Sequence, residues 1–71
     1  MNGAVLSGPE LAALGLLADG LTHMQIAAEL GVRPETAGRL LHRAQIVLRA
    51  RTLPHAVALA YKAGVLGRTG C

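Results

Sequence analysis

Hydrophobic residues recur with the spacing of an α-helix along most of the chain, and the most regular pattern spans residues 22–48. Ile26, Ala27 and Leu30 fall on one side of a short predicted helix, and a longer predicted helix follows it. Gly31 lies between the two and is able to take the positive φ that ends a helix. The pattern therefore predicts two helices joined by a tight turn, which is the helix-turn-helix unit.

Capping sequences predict where the helices begin. Ser7 with Glu10, and Thr22 with Gln25, have the three-residue spacing of a capping box. Thr52 is the predicted N-cap of the last helix. Three predicted helices also have a proline in the first turn, where its missing N–H costs nothing: Pro9, Pro34 and Pro54.

The long predicted helix, residues 34–48, has two distinct faces when it is wound at about 100° per residue. Its inward face is apolar and consists of Ala37, Leu40, Leu41, Ala44, Val47 and Leu48. Its outward face carries Glu35, Arg39, His42 and Ile46, with Thr36 and Arg43 at one border and Gly38 at the other. Arginine, histidine and threonine donate hydrogen bonds to phosphates and base edges, so this face predicts contact with nucleic acid.

Composition indicates one small all-α domain. Hydrophobic residues make up 52% of the 71 residues, yet Tyr61 is the only aromatic residue, so Leu, Ala, Val and Ile must form the core. Leu30 and Leu41 are predicted core residues of the helix-turn-helix. The predicted buried stripe of the first helix is Leu11, Leu14, Leu17 and Ala18. No strand-like alternation of useful length is present.

Charge is distributed unevenly along the chain. Residues 1–35 carry a net charge of −3, whereas residues 36–71 carry +6 and contain no acid. Such an asymmetry favours a polyanion as partner, although a solvated basic surface explains the charge alone equally well. The helix-turn-helix pattern shifts the balance toward double-stranded DNA.

The sequence offers little support for catalysis, metal binding or membrane insertion. His23, His42 and His55 lie on different predicted helices, and no nucleophile–base pair is recognisable. Cys71 has no partner for an internal disulfide and is expected to be a free thiol. No cleavable signal or membrane-length apolar run is found. We therefore expect a non-enzymatic cytoplasmic protein, associated with the nucleoid and without metal or cofactor.

Three segments between Leu6 and Leu66 carry a further pattern: LSGPELAALGLLADGLTHMQIAAELGV at 6–32, RPETAGRLLHRAQIVL at 33–48 and HAVALAYKAGVL at 55–66. In this order they resemble the LuxR-type (GerE-type) helix-turn-helix domain. The matching positions are Glu10, Gly20, Ile26, Ala27, Glu29, Leu30, Thr36, Ala56, Val57, Ala60, Gly64, Val65 and Leu66. The resemblance implies a four-helix bundle without a wing, acting as a sequence-specific bacterial transcriptional regulator. A related alternative at the level of the fold is the DNA-binding C-terminal domain of a sigma factor.

Five positions depart from the usual pattern of that family. Arg33 stands where a serine cap is usual, Ala37 where valine is usual, and Gly38 where a lysine or arginine is usual. Leu40 replaces a residue that is commonly polar, and Arg49 replaces a glycine that commonly follows the recognition helix. Gly38 removes a donor and costs about 1 kcal/mol of helix propensity relative to alanine. These departures bear on DNA affinity and site preference.

The predicted DNA contacts are the residues that a major-groove docking would bring to the duplex. They are Arg33, Glu35, Thr36, Arg39, His42 and Arg43 on the recognition helix, with Thr22 and His23 at the start of the preceding helix. Arg39 is the predicted base reader and Arg43 the predicted phosphate contact. The alternatives are a surface salt bridge between Glu35 and Arg39, local bonding of Thr36, and simple capping by Thr22.

The fourth predicted helix, residues 53–63, has almost no polar face. Val57 and Ala60 are expected to cover the core. The apolar surplus, Leu53, Leu59 and Tyr61, predicts a homodimer through this helix, as the family resemblance also implies.

A function of another class is a protein-interaction module that uses the same fold. In that case Gly38, Leu40 and Ile46 mark a surface turned toward RNA polymerase or another regulator. The predicted domain spans residues 7–66, between a short arm at 1–6 and a flexible tail at 67–71, and Val65 and Leu66 fold back over the core.

Overall fold

The computed structural model describes residues 6–66, which form four α-helices and no β-strand. The helices are α1 (Gly8–Ala18), α2 (His23–Leu30), α3 (Pro34–Val47) and α4 (Leu53–Lys62). The predicted all-α class and the predicted number of helices are confirmed. Apart from Leu6, the predicted arm at 1–6 lies outside the described residues, as do the predicted tail at 67–71 and Cys71.

Reciprocal capping boxes begin α1 and α2, as their sequences predict. Ser7 Oγ accepts the Glu10 N–H at 3.3 Å, and the Ser7 N–H donates to Glu10 Oε1 at 3.0 Å. Thr22 and Gln25 repeat the arrangement at 3.2 and 2.8 Å. Each box satisfies two backbone N–H groups at the junction of the N-cap and the first turn.

The start of α3 differs from the starts of the other helices. Arg33 occupies its N-cap position and forms no capping hydrogen bond with its side chain, while Pro34 begins the first turn. By contrast, Thr52 Oγ1 accepts the His55 N–H at 3.1 Å and caps α4 as predicted. The N-terminus of α3 therefore keeps its first N–H groups free of a side-chain cap.

All four helices end in a left-handed residue that turns the chain. Gly20, Gly31 and Gly64 have φ values of 95°, 70° and 78°, and Arg49 has φ 59° after α3. In each case the N–H of the next residue donates to a carbonyl five residues earlier, at 2.9–3.2 Å. This is the Schellman arrangement, which glycine adopts most easily because it lacks a Cβ. Only α3, among the described helices, uses a residue with a side chain at this position.

The core lies where α1 and α3 cross, and each of these helices packs against the three others. Its buried hydrophobic residues are Ala13, Leu14, Ile26, Ala27, Ala37, Leu41, Ala44, Ala56, Ala60 and Leu66. Six of these ten are alanines, so the backbones approach closely and the few larger side chains fill the space between them. A core without aromatic residues agrees with the composition.

The structure corrects the predicted face of α1. Leu14 is completely buried as predicted, but so is Ala13, whereas Leu11, Leu17 and Ala18 are only half-buried. The prediction is correct only in part, because Leu11, Leu17 and Ala18 pack against the core but remain partly exposed. Since α1 is apolar on almost every side, the periodicity did not identify Ala13 as a core residue.

Three further core predictions are correct only in part. Leu41 is completely buried, but Leu30 is half-buried because it is the last residue of α2 and lies at the molecular edge. Leu66 folds back and is 9% exposed, whereas Val65 remains 43% exposed. In α4, the buried residues are Ala56 and Ala60, with Val57 half-buried beside them.

Candidate nucleic-acid interface

One face of α3 is solvent-exposed along the whole helix, and it is the predicted face. Glu35, Arg39, His42, Arg43 and Ile46 are all exposed. We call these five residues the α3 outward face. On the opposite side, three residues are completely buried: Ala37, Leu41 and Ala44. The helical phase derived from the sequence is therefore confirmed for α3.

The predicted borders of this face are half-buried except at Arg43, which is exposed. Thr36 lies on one border and Gly38 on the other. The Thr36 hydroxyl makes no hydrogen bond within residues 6–66, so the alternative of local bonding is not seen there. A Cβ added at Gly38 would meet nothing within 4 Å, so this position is open to side chains.

Arg43 lies beside a carboxylate that the sequence did not suggest as its partner. Its Nη1 is 3.9 Å from Oε2 of Glu10, whose other oxygen accepts the Ser7 N–H. Glu10 is only 7% exposed, while the Arg43 side chain remains 65% exposed. Glu10 thus supplies a counter-charge from α1 and leaves most of the guanidinium accessible to a ligand.

Arg39 has a different electrostatic environment. The predicted alternative, a salt bridge with Glu35, is not formed, and no carboxylate in residues 6–66 lies within 4.0 Å of its guanidinium. Because a charge without a partner interacts more strongly with a new anion, Arg39 is better placed than Arg43 to form a new charge-assisted hydrogen bond.

Two more arginines lie at the ends of α3. Arg33 is exposed at the N-cap, as expected for a predicted contact. Arg49 is exposed after the C-terminus, and the predicted contacts did not include it. The signal in the sequence was an arginine at a helix end where glycine is common. The structure shows that this arginine holds the left-handed conformation, with φ 59°.

The start of α2 brings two predicted contacts to the surface. Thr22 and His23 are both exposed, but the Thr22 hydroxyl is already occupied by the N–H of Gln25. The N–H groups of His23 and Met24 have no hydrogen-bond partner within residues 6–66. Thr22 therefore acts as a cap, and the free donors of this turn come from the backbone.

The predicted dimer residues do not share one exposed surface on α4. Leu53 is half-buried against the core, and Leu59 is also half-buried. Tyr61 is 46% exposed. Four other positions of the helix are exposed as Tyr61 is: Pro54, His55, Ala58 and Lys62. A dimer through α4 remains a prediction.

Residues 6–66 contain no group of three or more His, Cys, Asp or Glu side chains able to hold a metal ion. None of the four helices is long and apolar enough to cross a membrane.

Comparison with known proteins adds no family assignment. No protein-family model matches the sequence, and no curated protein matches it either. The functional interpretation therefore depends on the chemistry of the residues described above.

Proposed function

We propose that this chain is a LuxR-type helix-turn-helix domain that binds double-stranded DNA sequence-specifically and regulates transcription. The observation that carries the proposal is the α3 outward face, which exposes Arg39, His42 and Arg43 on a helix with a buried apolar side. Arg33 and Arg49 extend the basic surface beyond both helix ends. Phosphate and base recognition depends on such donors.

The dimensions of α3 suit a major groove. Its 14 residues correspond to a length of about 21 Å at 1.5 Å per residue. The groove of B-DNA is about 12 Å wide and admits one α-helix. α2 precedes α3 and ends in a tight turn at Gly31. In such a docking, the N–H groups at the N-terminus of α2 reach a phosphate beside the groove.

The two arginines of the α3 outward face have different roles in this proposal. Arg39 has no carboxylate partner and lies nearer the N-terminus of α3, the part that enters the groove, so it reads a base edge. Arg43 lies one turn later beside Glu10, which holds its guanidinium toward α1. It contacts a phosphate, for which orientation is less critical than for a base edge.

The test is a titration of the protein against a duplex selected from random sequences and against a scrambled duplex, at several salt concentrations. Arg39→Ala should lose about 10- to 100-fold in discrimination at one base pair. Arg43→Ala should weaken binding to both duplexes and reduce the slope of log K against log salt by about one unit. Lys62→Ala removes an equal charge from α4 and should change little. The proposal fails if the wild type shows no salt-dependent binding to any duplex.

Glu10 provides a second test of the assigned role of Arg43. Glu10→Gln keeps an acceptor for the capping box and removes the counter-charge beside Arg43. Non-specific DNA binding should therefore strengthen, and the gain should vanish when Arg43→Ala is also present. An equal gain in DNA affinity with and without Arg43→Ala would show that Glu10 acts only through the overall electrostatic potential of the protein.

A protein-interaction module is the second candidate, and Ile46 favours it. This side chain is 60% exposed within the α3 outward face, where an apolar contact with a partner such as RNA polymerase would bury it. If this candidate is correct, Ile46→Gln should abolish binding to purified bacterial RNA polymerase. The Arg39→Ala and Arg43→Ala variants would then retain whatever weak DNA affinity the wild type has.

A further inference from the structure

A second surface lies away from α3, in a gap that the packing of the helices leaves open. α2 and α4 both pack against α1 but do not pack against each other. The space between them is a groove of about 480 Å³, and no residue of α3 lines it. We call it the acid-rimmed groove. Any ligand in it would leave the α3 outward face accessible.

The floor of the acid-rimmed groove is apolar. Leu16, Leu30 and Leu66 contribute their side chains, and the first two are half-buried. Ala12 and Gly15 line the α1 side, where their small size keeps the groove open. A Cβ added at Gly15 would lie 3.6 Å from a Leu66 methyl group, which shows how closely the floor packs there. Such a floor favours an apolar side chain from a partner.

The described residues of the rim carry negative charge and no positive charge. Asp19 and Glu29 are both exposed, and neither forms an ion pair within residues 6–66. Among residues 6–66, no lysine, arginine or histidine lines the groove. The Tyr61 ring also lines it and is 46% exposed, and an aromatic face of this kind attracts cations. The rim therefore attracts a cationic ligand and repels a polyanion.

We propose that the acid-rimmed groove binds a basic amphipathic segment of a partner protein. An apolar side chain of the segment lies on the leucine floor, and its lysines or arginines lie beside Asp19 and Glu29. Charge complementarity identifies the partner, because the two charged residues that line the groove within residues 6–66 are both acids. The inference is independent of the proposed DNA binding, since the two surfaces share no residue.

The experiment uses the full chain labelled with nitrogen-15 and two synthetic helical peptides of equal length. One peptide is amphipathic and composed of Leu and Lys, and its counterpart is composed of Leu and Glu. The Leu/Lys peptide should give saturable shifts of the amide signals of Gly15, Leu30 and Leu66. The Leu/Glu peptide should not shift them.

Three variants test the chemistry of the groove. Asp19→Asn combined with Glu29→Gln should lower the affinity for the Leu/Lys peptide about tenfold, because both attractive charges are lost. Ala12→Lys places a cation at the groove wall on an exposed helical position and should also weaken binding. Glu35→Gln removes one acid from α3 instead and should leave the affinity for the peptide unchanged. Circular dichroism would verify that each variant remains folded.

Several outcomes would overturn the proposal. They are an absence of saturable shifts, equal shifts with the Leu/Glu peptide, and shifts that map outside the groove. A concentration-dependent shift of the groove signals without peptide would identify a second copy of the chain as the occupant, and this too would contradict a separate partner. Failure of DNA binding would have no effect on these measurements, so the two proposals fail separately.

Discussion

Replacing Arg49 by glycine should stabilise the domain, although it deletes a charged side chain at the end of α3. Arg49 holds the left-handed conformation that Gly20, Gly31 and Gly64 hold after the other three helices. At this helix end the Arg49 N–H donates to the Ile46 carbonyl at 3.0 Å, and the Ala50 N–H donates to the Gln45 carbonyl at 2.9 Å. Both are backbone bonds and survive the substitution.

The expected gain in the free energy of unfolding is the difference between two opposing effects of Arg49→Gly. A residue with a Cβ costs roughly 1–2 kcal/mol in the left-handed region. Glycine removes this cost, but it also lowers stability by roughly 0.5–1 kcal/mol, because the unfolded chain has more conformational freedom with glycine than with arginine. The free energy of unfolding should therefore rise by about 0.5–1 kcal/mol, which for a domain of this size raises Tm by about 2–8 °C.

The assay is thermal and urea unfolding of the wild type, Arg49→Gly and Arg49→Ala. Arg49→Ala is the matched control, because it removes the same charge but keeps a Cβ at φ 59°. Only Arg49→Gly should raise the unfolding midpoint, with the urea m-value unchanged. If Arg49 also contacts a phosphate, the two variants should bind DNA more weakly than the wild type, and by the same factor.

Equal midpoints for the two variants would refute the reasoning, since the stability change would then follow the charge and not the backbone conformation. A lower midpoint for Arg49→Gly alone would show that the Arg49 side chain stabilises the helix end by more than its conformation costs.

Three further predictions concern packing and assembly. Leu41→Ala should lower stability by about 2–5 kcal/mol, and Leu30→Ala should lower it less because Leu30 is half-buried; equal losses in urea unfolding would contradict the core described here. Gly38→Ala should raise stability by about 1 kcal/mol, because a Cβ there meets nothing within 4 Å; a lower thermal midpoint would contradict this. If α4 forms a dimer, Leu59→Asp should give folded monomers by sedimentation, since Ala60 carries the contact with the core; a wild type that is monomeric on DNA would remove the dimer.

Local sequence determined where the helices begin and how most of them end. The capping boxes of Ser7 and Thr22 and the turn at Gly31 depend on residues within a few positions of one another, so they were predictable without the fold. The faces of α3 were predictable for a similar reason. Its apolar residues recur on one side and its charged residues on the other, so the helical period alone identifies the buried face.

Tertiary structure decided the features that depend on contacts between residues far apart in the sequence. The buried side of α1 was predicted only in part, because a helix that is apolar all round is oriented only by its neighbours. The proximity of Glu10 to Arg43 depends on the crossing of α1 and α3, and the acid-rimmed groove exists because α2 and α4 stay apart. The conformation of Arg49 could not be predicted from the residue itself, because arginine has no preference for the left-handed region. The chain adopts this conformation there because the path from α3 to α4 requires the turn.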